Sequence, residues 1–128
     1  MPQTQKQFIG RHGEEAAAAF LRRLGYRIIE TNWRPRRGRG ELDLIASHRG
    51  ALVFVEVKTR HAAVTPFPAE ANITPTKIRH LQQLAARYLL EHPVWQSGPA
   101  QIDVIAVEFT EGRAPVIRHW PRAVGAPR

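Results

Sequence analysis

A chain of 128 residues with 43% hydrophobic content can bury one hydrophobic core, and its lack of cysteine excludes disulfides and thiolate metal sites. The formal net charge of +8 rests on 16 arginines and 3 lysines. The planar donor fork of arginine suits phosphate oxygens and points to a polyanionic partner, although genomic bias toward Ala, Arg and Pro explains much of the Arg-over-Lys ratio.

The opening segment holds no apolar stretch of signal-peptide length, and no run approaches a membrane span. A cytoplasmic protein with no membrane partner is the expectation. Residues 1–9 read as a loose tail. From about His12 to Leu24, Ala17, Phe20, Leu21 and Leu24 recur at helical spacing, and Gly25 supplies the stop. Tyr26 to Trp33 reads as a strand in which Tyr26, Ile28 and Glu30 alternate with Arg27 and Ile29. Arg34-Pro35-Arg36-Arg37-Gly38-Arg39-Gly40 cannot continue as regular structure and forms a basic loop. Two strands follow, centred on Gly40 to Ile45 and Phe54 to Lys58, with Ser47-His48-Arg49-Gly50 between them as a hairpin turn. Residues 60–73, rich in Pro and Ala, read as a mobile loop. Thr74 and Pro75 open a second helix as N-cap and first helical position, with Ile78, Leu81, Ala85, Tyr88 and Leu89 as its buried stripe. Ile102 to Phe109 alternates again as a fourth strand, and Val116 to Trp120 adds a short edge strand. With residues 121–128 read as a frayed end, the chain forms a single domain over 1–128.

The two hairpin strands carry the strongest signal. Pairing Ala46 with Ala51 places Asp43 opposite Phe54 and Glu41 opposite Glu56. Any register of that parity gathers Glu41, Asp43, Glu56 and Lys58 on one face. Three carboxylates and one ammonium are costly together unless a cation or a reaction uses them. Either segment alone is what a solvated strand face ordinarily carries; the combination beside a basic loop is what stands out. Glu14 adds an acid at the start of the first helix, where its bland role, as for Glu15, is to complement the helix dipole. The six histidines are scattered and read as surface residues, Asp103 as structural, and Trp33, Trp95 and Trp120 as packing.

Gly13-Glu14-Glu15-x-Ala17, Leu24-Gly25-Tyr26, Asn32, Gly40-Glu41-Leu42-Asp43-Leu44-Ile45, Val53-Phe54-Val55-Glu56-Val57-Lys58-Thr59-Arg60 and Ile102-Asp103-Val104-Ile105-Ala106-Val107 resemble the YraN-like family of bacterial proteins. Pro68-Ala69-Glu70-Ala71 and Thr74-Pro75-x-Lys77 resemble its middle segment. Asn72-Ile73 makes the link there one residue longer than usual. The resemblance runs over roughly residues 10–120. It implies an α/β, restriction-endonuclease-like fold of the PD-(D/E)XK type, a mixed central β-sheet flanked by α-helices. The acid set is also similar to that of archaeal Holliday-junction resolvases, which implies Glu14, Asp43, Glu56 and Lys58 as the active set. Glu41 belongs to the family pattern and joins the catalytic candidates.

The residue types fit that chemistry. Phosphodiester hydrolysis needs a water deprotonated near pH 7 and neutralisation of charge on the phosphate, which Mg2+ or Mn2+ supplies from carboxylate ligands. Asp43 and Glu56 are then the primary metal ligands, with the Val57 carbonyl as a third. Lys58 orients the attacking water, and Glu14 completes the metal shell or holds a second ion. Arg34, Arg36, Arg37, Arg39, Arg60, Lys77 and Arg79 would hold a nucleic-acid backbone without reading bases. The expectation is a metal-dependent nuclease acting on branched or structured DNA, for which a homodimer would suit a symmetric junction. The alternatives are a non-catalytic nucleic-acid-binding module and an adaptor in recombination or repair.

Overall fold

The computed structural model describes residues 4–61 and 69–125. Five strands, β1 (Arg27–Trp33), β2 (Leu42–His48), β3 (Ala51–His61), β4 (Ala100–Phe109) and β5 (Val116–Val124), form one sheet in that spatial order. Helix α1 (Gln5–Arg23) precedes the sheet, and α2 (Pro75–Glu91) carries the chain from β3 to β4. Neighbouring strands are antiparallel except β3 and β4, whose parallel pairing requires a crossover such as α2 provides. The result is the mixed-sheet α/β architecture expected from the sequence, and it is consistent with a restriction-endonuclease-like fold.

Alternation along β3 sends successive side chains to opposite faces. Val53, Val55 and Val57 pack with Leu44, Ala46, Ile105 and Val107 beneath Ala17, Ala18 and Leu21 of α1. Leu52 and Phe54 face the other way, with Ile45, Ile102 and Val104, against Leu81, Leu84, Ala85 and Tyr88 of α2. Trp33 and Phe54 meet the Tyr88 ring edge-on at centroid distances of 5.1 and 5.6 Å, the approach that ring quadrupoles favour. Thr74 caps α2 as expected, its hydroxyl accepting the Lys77 amide at 3.2 Å. Within the expected stripe Ile78 and Leu89 are only half-buried, whereas Leu84 and Gln82 are buried. Among the described residues no helix is long and apolar enough to cross a membrane.

Several boundaries differ from the sequence reading. Residues 4–9 are not a tail: α1 begins at Gln5 behind a capping box, with the Thr4 hydroxyl accepting the Gln7 amide and the Gln7 side chain accepting the Thr4 amide. The hairpin turn is two residues rather than four. Arg49 and Gly50 both take positive φ (50° and 83°), and His48 pairs with Ala51. Such a turn follows the right-handed twist of the strands, and it moves the register by two residues from the expected pairing of Ala46 with Ala51. Ala46 pairs with Val53 instead. Parity is unchanged, and continuing the register sets Asp43 across from Glu56.

Alternation in β1 breaks after Ile28, where one extra residue bulges between Ile28 and Glu30. Glu30 consequently reaches the α2 side and accepts a long hydrogen bond from the Tyr88 hydroxyl at 3.4 Å. β5 does not end at Trp120 and fray. Pro121 cannot donate to the ladder, so the strand bulges there, Arg122 takes φ 51°, and pairing resumes at Val124. The Asp103 carboxylate accepts the Arg122 amide at 2.9 Å and so satisfies the bulge. Of the expected loop over 60–73, β3 continues to His61 and a 3₁₀ turn spans Ala69–Asn72; residues 62–68 lie outside the described ones.

Candidate functional site

β2 and β3 bring the hairpin acids together on the α2 side of the sheet, and α1 delivers Glu14 beside them. Carboxylate oxygens of Glu14, Glu41 and Asp43 all lie within 4.8 Å of one another. An ion about 2.0–2.6 Å from each ligand can bridge oxygens at that separation, and hard carboxylate donors suit a hard divalent cation. These three residues therefore form a group able to hold a metal ion.

Asp43 is the most enclosed of the three. Its Oδ2 accepts the Val57 amide at 2.8 Å, tying the start of β2 to β3. Glu56 neighbours Asp43 across the β2–β3 pairing, and the two carboxyl groups interact. Glu56 Oε1 is also 3.5 Å from Lys58 Nζ, and both of those side chains are only 16% exposed. Burial, followed by the negative charge of Glu56, pushes the Asp43 carboxyl up to about 8. Burial also raises Glu56, against the opposing pull of Lys58. The pair thus holds a proton well above the ordinary carboxylate range. Burial raises Glu14 as well, more than the hydrogen bond from Asn32 lowers it.

The structure thus groups the predicted acids in a different way from the sequence. Glu14 and Glu41 share the three-carboxylate cluster with Asp43, while Glu56 bridges Asp43 to Lys58. One residue of this site stood in the sequence only as part of the family pattern, with no role assigned to it. Asn32 takes φ 51° inside β1, and its amide nitrogen donates to Glu14 Oε1 at 2.9 Å and to Glu41 Oε1 at 3.2 Å. An asparagine within a strand is unfavourable for pleated structure and tolerant of the left-handed region, which is the signal that could have singled it out.

The predicted cations separate into distinct surroundings. Arg34 is exposed and pairs with Glu41 at 3.0 Å. Arg36 borders an open cavity of about 620 Å³ with Glu30 and Glu91. Arg37 and Arg39 lie against α2. Lys77 lines a cavity of about 170 Å³ together with Glu41, Glu56, Lys58 and His80, and Arg79 is exposed on α2. Arg60, two residues beyond Lys58 on β3, bonds Glu108 at 2.8 Å rather than any acid of the cluster; Arg118 joins Glu108 at 2.6 Å and Glu70 at 2.6 Å. Hydrogen bonds from Arg60 and Arg118 hold Glu108 down at about 2. This network clamps the 3₁₀ turn to β3, β4 and β5.

Asp103 and His119 had opposite outcomes for one shared reason. Asp103 is fully buried and structural as expected, but His119 is not a surface residue: its Nε2 meets Asp103 Oδ2 at 2.8 Å with its side chain 10% exposed. Burial raises Asp103, yet hydrogen bonds from His119, Arg122 and Gln101 outweigh it and leave the carboxyl below its usual value. Trp33 is buried as expected, Trp95 is half-buried against the α2 side of the core, and Trp120 is partly exposed.

Carboxylates and a lysine gathered on a mixed sheet between two helices give an α/β protein, consistent with a restriction-endonuclease-like fold, that carries a candidate metal centre. The model of the uncharacterised protein family UPF0102, the YraN-like family, matches residues 13–107, and the chain belongs to that family. It is 48% identical over 117 residues to a UPF0102 protein of Nocardia farcinica, covering 89% of this chain and 87% of that one. A UPF0102 protein of Clavibacter michiganensis is 42% identical over 114 residues, covering 89% of this chain and 93% of the other. One from Chloroflexus aurantiacus is 43% identical over 122 residues, covering 95% and 97%.

Proposed function

We propose that this protein is a metal-dependent nuclease that hydrolyses phosphodiester bonds, with branched or structured DNA as its substrate. The observation that carries the reading is the convergence of Glu14, Glu41 and Asp43 around one point, with the Glu56–Lys58 pair beside them. Asp43, Glu41 and Glu14 would hold Mg2+ or Mn2+, with Glu56 at the flank. A cation there supplies an acidified water and neutralises charge on phosphate. Lys58 orients the attacking water and stabilises its developing hydroxide charge. Glu56 keeps that ammonium in place and, once ionised, can accept a proton. Asn32 holds Glu14 and Glu41 at a fixed separation. A homodimer would present two such sites to a symmetric junction. The test is cleavage of a panel of duplex, single-stranded, flap and four-way DNA with Mg2+ or Mn2+. Cleavage abolished by Asp43→Asn supports the reading; binding to every member without cleavage of any replaces it with a binding module.

The raised Asp43 carboxyl gives a second test. Between about pH 4 and pH 8 the folded, ion-free chain holds a proton that the unfolded chain has released, so its stability should fall as pH rises across that window. A divalent cation displaces that proton. Millimolar Mn2+ should therefore raise Tm more at pH 8 than at pH 6, by an amount that Asp43→Asn largely removes. An equal gain at both pH values, or none in the wild type, would count against a metal centre at Asp43.

A further inference from the structure

We infer that the nucleic-acid backbone leaves the reaction centre on one side only, through the groove between the 34–40 loop and α2, where Arg37, Arg39 and Arg87 grip its phosphates. The inference rests on the nuclease reading and adds the path of the substrate to it. The cavity beside Glu56, Lys58 and Lys77 shares two of its walls, His80 and Leu84, with a second cavity of about 200 Å³. That second cavity is bordered by Arg37, Arg39, Gln83 and Arg87 and by no acidic residue among the described ones. The three arginines are exposed, and none has an ion-pair partner among the described residues.

The other flanks are different. On the α1 side, the cavity that Arg11 and Arg22 border also contains Glu14 and Glu15. Beyond β1, Arg34 and Arg36 border a cavity with Glu30 and Glu91. A polyanion crossing either of those surfaces would meet carboxylates, which costs binding free energy. Among these flanks, the groove against α2 is the one that continues outward from Lys58 and Lys77 with positive charge alone. Its geometry is built into the backbone. Gly40 takes φ 95°, and a Cβ there would lie 2.5 Å from the His80 ring and 3.1 Å from Leu84, so the loop presses on α2 closely enough to keep its arginines beside Arg87. Arg87 follows His80 by seven residues, two turns along the same face of α2.

Binding of labelled duplex and four-way DNA, measured without divalent cation across a salt series, tests this path. The triple variant Arg37→Ala, Arg39→Ala, Arg87→Ala should lower the slope of log K against log salt by about 3, roughly one for each arginine that no longer meets a phosphate. The control triple Arg22→Ala, Arg49→Ala, Arg113→Ala removes the same charge from exposed positions outside the groove and should leave the slope within about 1 of wild type. An equal fall in both triples means that net charge alone attracts the polyanion, and it overturns the path. An unchanged slope in the groove variant overturns it too while leaving the nuclease reading intact, whereas failure of the wild type to bind at low salt removes both.

Discussion

Replacing Lys58 with alanine should lower phosphodiester turnover by about 10²–10⁴-fold while changing binding far less. The expectation follows from where the ammonium sits. Its side chain is 16% exposed and its Nζ is 3.5 Å from Glu56, so it is held beside the carboxylates rather than out on the rim. A charge in that position acts on the species formed during reaction, which makes its loss a kcat effect more than a KM effect. Glu56→Gln should also abolish most cleavage, yet retain or improve binding, because it deletes a negative charge near phosphate. Single-turnover kinetics with Mn2+, paired with Kd measured without it, separates the two quantities. If both variants cut as the wild type does, the activity comes from another site or another protein.

The hairpin acids were legible in the sequence because strand parity survives errors of register. Moving the pairing by two residues leaves Glu41, Asp43, Glu56 and Lys58 on the same face, although it changes which of them are opposite. The tight turn itself was hidden. It needs a positive φ at Arg49, and arginine carries no preference that announces one.

The site's partners from distant elements were less accessible. Nothing in the local pattern around Asn32 says that its amide will lie between Glu14 and Glu41, since those hydrogen bonds span 18 and 9 residues. Arg60 looked like one more member of a basic set. Its pairing with Glu108 depends on the parallel register of β3 against β4, in which Arg60 and Glu108 are direct neighbours. His119 was misread in the same way, because burial at the β4–β5 edge and the Asp103 carboxylate are properties of the assembled sheet. The helix start at Gln5 was a failure of another kind. The capping signal Thr4-x-x-Gln7 is local and present, but without an apolar stripe over the first turn it reads as tail.

Gly13→Ala should destabilise the fold, even though alanine is favoured over glycine within a helix by about 0.5–1 kcal/mol. Gly13 is buried where α1 crosses β3, and a Cβ there would lie 1.7 Å from Thr59 Cγ2 and 2.9 Å from Thr59 Cβ. Thr59 is β-branched and has little rotamer freedom with which to yield. Relief therefore requires α1 to move off the sheet, and overpacking of this kind costs about 1–3 kcal/mol. The clash exceeds the gain in helix propensity. The consequence extends to the site, since the residue after Gly13 is Glu14, whose carboxylate must stay within 4.8 Å of Glu41 and Asp43. Chemical denaturation should accordingly show reduced stability, and the Mn2+-dependent gain in Tm should shrink in the same variant. Thr59→Ser removes the offending methyl, so the double variant should recover a good part of both effects, a coupling that a double-mutant cycle reads directly. A Gly13→Ala protein as stable as wild type and still fully responsive to Mn2+ would show that α1 does not need this close approach to place Glu14.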